Sequence, residues 1–273
     1  MTHTPPAVTD ATLEIEGRVA TLTLNRHDVR NELTGTHLSA EIIAVADWIN
    51  RDEAISALVI TGAGTAFSAG GNIKHMLDRA HGSFSGDVYT VQNRYRVGIQ
   101  RMALAMHALE VPAIAAVNGA AVGAGFDLAC MCDVRIAAST ATVGETFVNL
   151  GLIPGDGGGW LLQRLVGYQR AAEMTFSGRT LSADEAHQIG VFLEVTEPAD
   201  LMARARELAA SFAAKPPRVV RLTKRLLRSA QRMELPEFLE MCAMVQGMCH
   251  NTEDHLEAVS AFLEKRPPEY LGR

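Results

Sequence analysis

One stretch limits what this chain can fold into. It runs from Val111 to Gly167 and reads VPAIAAVNGAAVGAGFDLACMCDVRIAASTATVGETFVNLGLIPGDGGGWLLQRLVG. Ala113–Val117 is a short apolar, partly β-branched run, the pattern of a buried strand. It stops at Asn118-Gly119, passes through a turn spaced by Gly119, Gly123 and Gly125, and gives way to helix formers from Phe126 to Cys130. A strand therefore feeds a helix through a turn without bulky side chains. The first N–H groups of such a helix lack internal partners and carry partial positive charge. A carbonyl oxygen that gains charge in a reaction can be held there. A second cluster, Pro154-Gly155-Asp156-Gly157-Gly158-Gly159, also opens onto an apolar helical run and carries a carboxylate at its tip.

Around this stretch the pattern is mixed. Residues 1–9 read as disordered. Thr12–Ile15 and Val19–Leu24 alternate apolar and polar around Glu16-Gly17-Arg18, a hairpin signal. A helix is predicted from Leu33-Thr34, with Thr34 as N-cap, Leu33 stapled onto Leu38, and Leu38, Ile42, Val45 and Ile49 as its apolar face. Ala57–Ile60 is a second buried strand. It ends in a long loop of small residues, Thr61 to Gly71. Residues 72–90 contain Gly82, Ser83, Ser85 and Gly86 and read as a mobile excursion, with His75 and His81 solvated. Residues 91–109 read as helical. From Tyr168 onward only helices are predicted, at about 168–177, 182–188, 199–214, 217–230, 235–249 and 252–265. Strands and helices followed by helices alone give an α/β class. A core over residues 10–200 and a helical C-terminal region over 201–273 are expected.

Composition narrows the function. Of 273 residues, 48% are hydrophobic, enough for a sizeable core, yet no apolar run approaches a membrane span. The N-terminus has no basic region or apolar segment of the signal-peptide kind, so the default location is cytoplasmic. The net charge of −6 argues against nucleic acid as the main partner. Cys130, Cys132, Cys242 and Cys249 read as reduced core thiols; a zinc site using His250 and His255 is a minor alternative, since no C-x-x-C pair exists.

The glycine loops admit several readings. Gly62-x-Gly64 follows a strand, but Phe67 stands where a dinucleotide fingerprint needs its third glycine. Ala66-Phe67-Ser68-Ala69-Gly70 is a poor nucleophile elbow, with alanine in the first glycine position; a serine hydrolase would pair Ser68 with His250 or His255. The remaining reading is two small-residue loops, 67–71 and 119–125, each offering one backbone N–H to the same oxygen. Arg221, Lys224, Arg225 and Arg228 follow helical spacing and read as a solvated basic face; Asp133 reads as a loop tie and His107 as structural.

These residues together resemble the enoyl-CoA hydratase/isomerase (crotonase) superfamily. The resemblance rests on Leu24-Asn25-Arg26 with Asn31-Glu32-Leu33, on Gly64 to Ile73, on Ala115 to Asp133, on Leu150 to Gly158 and on Ala261 to Arg266. It implies a spiral of ββα turns with a helical C-terminal region that trimerises, often as a dimer of trimers. It implies an acyl-coenzyme A thioester as ligand and no further cofactor or metal. It places oxyanion donors at Ala69 and Ala124. Arg26 and the segment Phe67, Ser68, Gly70, Gly71, Asn72 and Ile73 would flank adenine and pantetheine, and Lys265 of a neighbouring subunit would face a phosphate. Gly123 would belong to the site as well.

The family's hydratases use two glutamates across the substrate double bond. Here the first position holds Asp127 and the second Phe147, which cannot transfer a proton and reads as a wall of the acyl pocket. Glu145, two residues earlier, is expected to point elsewhere. Asp156 offers a second carboxylate, so Asp127 and Asp156 are the candidate acid/base groups. The expected activity is hydration or double-bond isomerisation of an enoyl-CoA through a stabilised enolate. A catalytically inert acyl-CoA-binding homologue is the alternative, with the Ser68 hydrolase a weaker one.

Overall fold

The computed structural model describes residues 3–77, 82 and 84–273. The expectations for His81 and Ser83, and for residues 1 and 2, lie outside the described residues. The chain opens with β1 (Ala11–Glu16) and β2 (Val19–Leu24), then α1 (Leu38–Arg51), β3 (Ala57–Gly62), β4 (Ala66–Ser68), α2 (Ile73–Leu77), α3 (Val88–Val97) and α4 (Ile99–Ala108). The middle holds β5 (Ala113–Val117), β6 (Ala120–Val122), α5 (Ala124–Met131), β7 (Val134–Ala138), β8 (Thr142–Gly144), α6 (Gly158–Val166) and α7 (Tyr168–Ser177). It closes with β9 (Leu181–Ser182), α8 (Ala183–Gln188), β10 (Glu194–Thr196), α9 (Leu201–Ala213), α10 (Pro217–Ala230), α11 (Leu235–His250) and α12 (Glu253–Glu264).

Two sheets result. The larger runs β1-β2-β3-β5-β7-β10 and the smaller β4-β6-β8-β9. The β1–β2 hairpin is antiparallel with Ala11 opposite Leu24, and β2, β3, β5, β7 and β10 are parallel. Consecutive strand pairs β3–β4, β5–β6 and β7–β8 each give one strand to each sheet, so the chain climbs as a spiral. The central strands β3, over Ala57–Ile60, and β5 are apolar and buried because both faces are covered. On β3, Leu58 and Ile60 enter the core under α1 and α4, whereas Ala57 and Val59 face a second cluster. That second cluster is closed by Leu201, Ala205 and Ala209 of α9, whose small side chains let the helix lie close to the sheet.

Several local expectations are revised. The helix after Thr34 begins at Leu38; Thr34 instead accepts the Asn72 N–H at 3.0 Å on its hydroxyl. Residues 3–9 are tied down: Trp48 donates its indole N–H to the His3 carbonyl at 2.8 Å, and Glu41 accepts from the Thr9, Asp10 and Ala11 N–H groups. The C-terminal third is not purely helical, since β9 and β10 each complete a sheet edge. The basic stripe of α10 is a latch rather than a solvated face. Arg221 donates to the carbonyls of Ile49, Asp52 and Ile55 at 2.9–3.0 Å, and buried Lys224 reaches the Asp133 carboxylate at 2.6 Å. Asp133 also accepts the Ala113 N–H at 2.8 Å, so this loop tie fixes α10 to the start of β5.

Candidate active site

The two glycine loops meet where the sequence places them. Gly70 has φ +74, and a Cβ there would lie 2.7 Å from the Val122 carbonyl oxygen and 2.9 Å from the Ala124 nitrogen. Only a residue without a side chain lets the 69–71 backbone approach the start of α5 this closely. Gly123, with φ +52, caps the other loop, donates its N–H to the Gly144 carbonyl and would carry a Cβ 3.7 Å from the Phe147 ring.

A cavity of about 440 Å³ opens over this junction. Gly71 and Ala124 line it from the two loops, Phe147 and Asp156 from the following segments, and Met76, Phe84, Tyr95 and Ile99 from the region before β5. One N–H expected as a donor from the sequence is already used. The Ala69 N–H donates to the Arg30 carbonyl at 2.9 Å and is engaged there. Gly71, two residues on, is the loop peptide that lines the cavity opposite Ala124.

Other candidates occupy varied positions. Phe67 is fully buried in the core. Ser68 is fully buried and donates its hydroxyl to the Asn31 carbonyl at 2.7 Å while accepting the Gly70 N–H. His250 and His255 pair with each other at 3.1 Å on the distant α11–α12 corner. Ser68 is therefore a loop brace, and the hydrolase reading fails on burial and partners. Asn72 donates to Glu32 and accepts from the Lys74 and His75 N–H groups, which starts α2. Ile73 is exposed. Arg26 forms ion pairs with Asp10 and Asp28, and Lys265 ends α12 with φ 57.

One carboxylate lines the cavity floor and two more are buried below it. Asp156 lines the cavity but is only 5% exposed. Burial pushes its carboxyl up to about 6, and its Oδ1 accepts nothing from the described residues. The preceding peptide is held by Gln100, which donates to the Gly155 carbonyl at 2.9 Å. Asp127 does not reach the cavity. It is fully buried, and its Oδ2 accepts the Gly158 N–H at 3.1 Å at the start of α6.

Glu145 points away from the cavity, as expected, but its partner there is one the sequence does not show. Strand β8 ends at Gly144, and a tight 3-10 turn over Thr146–Leu150 follows. That turn breaks the alternation that would carry Glu145 and Phe147 to the same side. Glu145 is 1% exposed and faces Asp127. A Cβ on Gly158 would lie 2.1 Å from Asp127 Oδ1 and 2.4 Å from Glu145 Oε1. Burial first, then the facing Glu145, drive the Asp127 carboxyl well above its usual range, and burial does the same for Glu145. The signal in the sequence was the Gly144-Glu145 pair before a turn, legible only once the strand's end is known.

Comparison with known proteins follows the same outline. The chain matches the family model described as Enoyl-CoA hydratase/isomerase over residues 14–273. It is 37% identical to the short-chain-enoyl-CoA hydratase of Clostridium acetobutylicum, over 94% of this chain and 95% of that one. It is 35% identical to the 1,2-epoxyphenylacetyl-CoA isomerase of Escherichia coli, over 95% of this chain and 97% of that one. The solved enoyl-CoA hydratase from Bacillus anthracis superposes with a TM-score of 0.89 at 33% identity, covering 97% of this chain and all of the other.

Proposed function

The chain belongs to the enoyl-CoA hydratase/isomerase family, and we propose that it moves the double bond of an enoyl-CoA by proton transfer at a thioester enolate. The observation that carries this choice over hydration is the pairing of one carboxylate, Asp156, with an apolar wall, Phe147, at the cavity. Hydration needs a group to activate water and a group to protonate carbon. Moving a proton between two carbons needs one base and a place to hold the enolate.

The reaction then runs as follows. The thioester carbonyl oxygen sits between the N–H groups of Gly71 and Ala124. Asp156, ionised, takes a proton from C2 of a 3-enoyl-CoA. The electron pair delocalises onto the carbonyl oxygen, where the two N–H groups and the positive end of α5 stabilise it. Asp156 returns the proton to C4, leaving a 2-enoyl-CoA and the starting carboxylate. No cofactor beyond the coenzyme A of the substrate takes part. One similar chain is named an isomerase of a coenzyme A thioester, 1,2-epoxyphenylacetyl-CoA, so isomerisation of some kind lies within the range of this chain's relatives. The cavity lining of Leu33, Ile43, Met76, Ile99 and Leu152 suits an apolar acyl group.

A homotrimer or dimer of trimers belongs to the same reading. Helix α11 buries none of its residues and exposes Leu235, Leu239, Met244 and Met248, a surface suited to another copy. A cytoplasmic location fits the four free cysteines. No helix among the described residues is long and apolar enough to cross a membrane.

The test is a 3-enoyl-CoA and crotonyl-CoA supplied to the purified protein and to an Asp156→Asn variant. The expected result is a double-bond shift by the wild type and a loss of about 10²–10⁴-fold in the variant, the usual contribution of a positioned acid/base group. Stoichiometric water addition with no shift would replace this reading with hydration.

A further inference from the structure

Below the cavity floor, Asp127 and Glu145 face each other with no cation against them. Neither carboxylate forms an ion pair among the described residues, and Asp127 Oδ1 and both Glu145 oxygens accept nothing there. The one N–H supplied is from Gly158, to Asp127 Oδ2 at 3.1 Å. The glycine is required: a Cβ would strike both carboxyl groups, at 2.1 and 2.4 Å. Two ionised carboxylates in this setting would be two buried like charges with one donor between them, which is very costly. A single proton resolves the geometry, because one carboxyl O–H can donate to the other carboxylate.

We propose that Asp127 and Glu145 hold one proton between them as a hydrogen-bonded acid–carboxylate pair, and that the single charge of this pair adds to burial in opposing the ionisation of Asp156 above it. The second half rests on the reading of Asp156 as the working base. Asp127 and Glu145 are then positioning residues: neither lines the cavity, and both act on the group that does. Other titratable groups near the cluster are few. Cys130 of α5, on the Asp127 helix, is itself pushed up by burial and stays a neutral thiol. Tyr95 of α3 stands over the Asp156 loop and is raised by burial and by Asp156. Arg135 of β7 faces Cys130 and spends its donors on the carbonyls of Val191, Ala129 and Cys132. On α6, Arg164 stacks over Trp160, and on α4 His107 meets the edge of the same ring.

The direct reading is infrared spectroscopy of the whole protein at pH 8, above the range in which Asp156 titrates. The wild type is expected to show the carbonyl stretch of one protonated carboxylic acid. Glu145→Gln is expected to lose it, because the amide donates to Asp127 and leaves that group ionised. Asp127→Asn is expected to lose it in the same way, so either variant suffices if the other fails to fold. The companion measurement is the pH profile of kcat/KM in the Asp127→Asn/Glu145→Gln double variant. Two neutral amides remove the charge that opposes ionisation of Asp156, so the acid limb moves to lower pH. A purely structural role would leave the limb in place. Absence of the band in the wild type, or its survival in Glu145→Gln, overturns the shared proton. A band that behaves as expected with an unmoved limb overturns the influence on Asp156. The spectrum needs no turnover, so its outcome is separate from that of Asp156→Asn activity.

Discussion

At the scale of single residues, the site depends on carboxyl groups placed where water cannot reach them. Asp156 has an ordinary value near 3.8 and is raised to about 6 by burial. As a base it works ionised, so kcat/KM is expected to rise with pH through about 6 and then level, as steady-state kinetics across pH would show. The stability consequence has the opposite direction. The folded state binds the proton more tightly than the unfolded chain, so this group's stabilising contribution is complete below about pH 4 and lost as pH rises through about 6. Asp156→Asn is therefore expected to raise unfolding stability at pH 8 by up to about 3 kcal/mol and to give less at pH 4, measured by urea titration. Activity and stability conflict at this position, as is usual for a working buried acid. Gly158→Ala goes the other way. Its methyl would enter the space of Asp127 and Glu145, and overpacking of this kind costs about 1–3 kcal/mol, visible as a lowered urea midpoint.

Elements explain which of these residues the sequence could place. The order of strand, glycine turn and helix from Ala113 to Met131 was legible, which put Ala124 at the start of α5 and Asp127 in its first turn; that Asp127, expected as an acid/base group, is buried away from the cavity was not. Asp156 was legible as a carboxylate inside a glycine cluster. The facing of Glu145 and Asp127 was not, because the direction of Glu145 depends on where β8 stops, and the 3-10 turn after it has no periodicity to read. That the Ala69 N–H, expected as an oxyanion donor, is already used was hidden for a similar reason. The segment Phe67–Gly71 is all small or buried, and only the hydrogen bond from Ala69 to Arg30 shows which peptide is already used. Helix α10 was legible as a helix but not as a latch, since its cations find backbone carbonyls more than 100 residues away in sequence. Lys224→Ala removes the buried partner of Asp133 and the donor to Val111. Loss of about 3 kcal/mol is expected, read by chemical unfolding; an unchanged midpoint would show that the latch contributes nothing net.

The whole molecule is a spiral of strand pairs with its two glycine turns stacked, and this stacking creates the site. Each turn sends one strand to each sheet, so residues 71 and 124, far apart in sequence, come to line one cavity. The fold class and the spiral were expected from the sequence. The edge strands β9 and β10 were not, being two and three residues long and set by pairing to β8 and β7 rather than by local preference. Assembly belongs to this scale too. Leu239 and Met244 lie exposed on α11, and Leu239→Asp with Met244→Asp is expected to shift the mass seen by light scattering from a trimer or hexamer toward the monomer. An unaltered mass would move the interface away from α11. The central claim, that one base at this cavity shuttles a proton across a stabilised enolate, is tested most directly in deuterated water. A 3-enoyl-CoA is incubated with the protein and followed by mass spectrometry. The expected product is the 2-enoyl isomer with no mass of water added, carrying deuterium only in the fraction of turnovers in which Asp156 exchanges its proton before returning it. A product carrying added water without isomerisation, or a substrate that neither shifts nor exchanges, would contradict it.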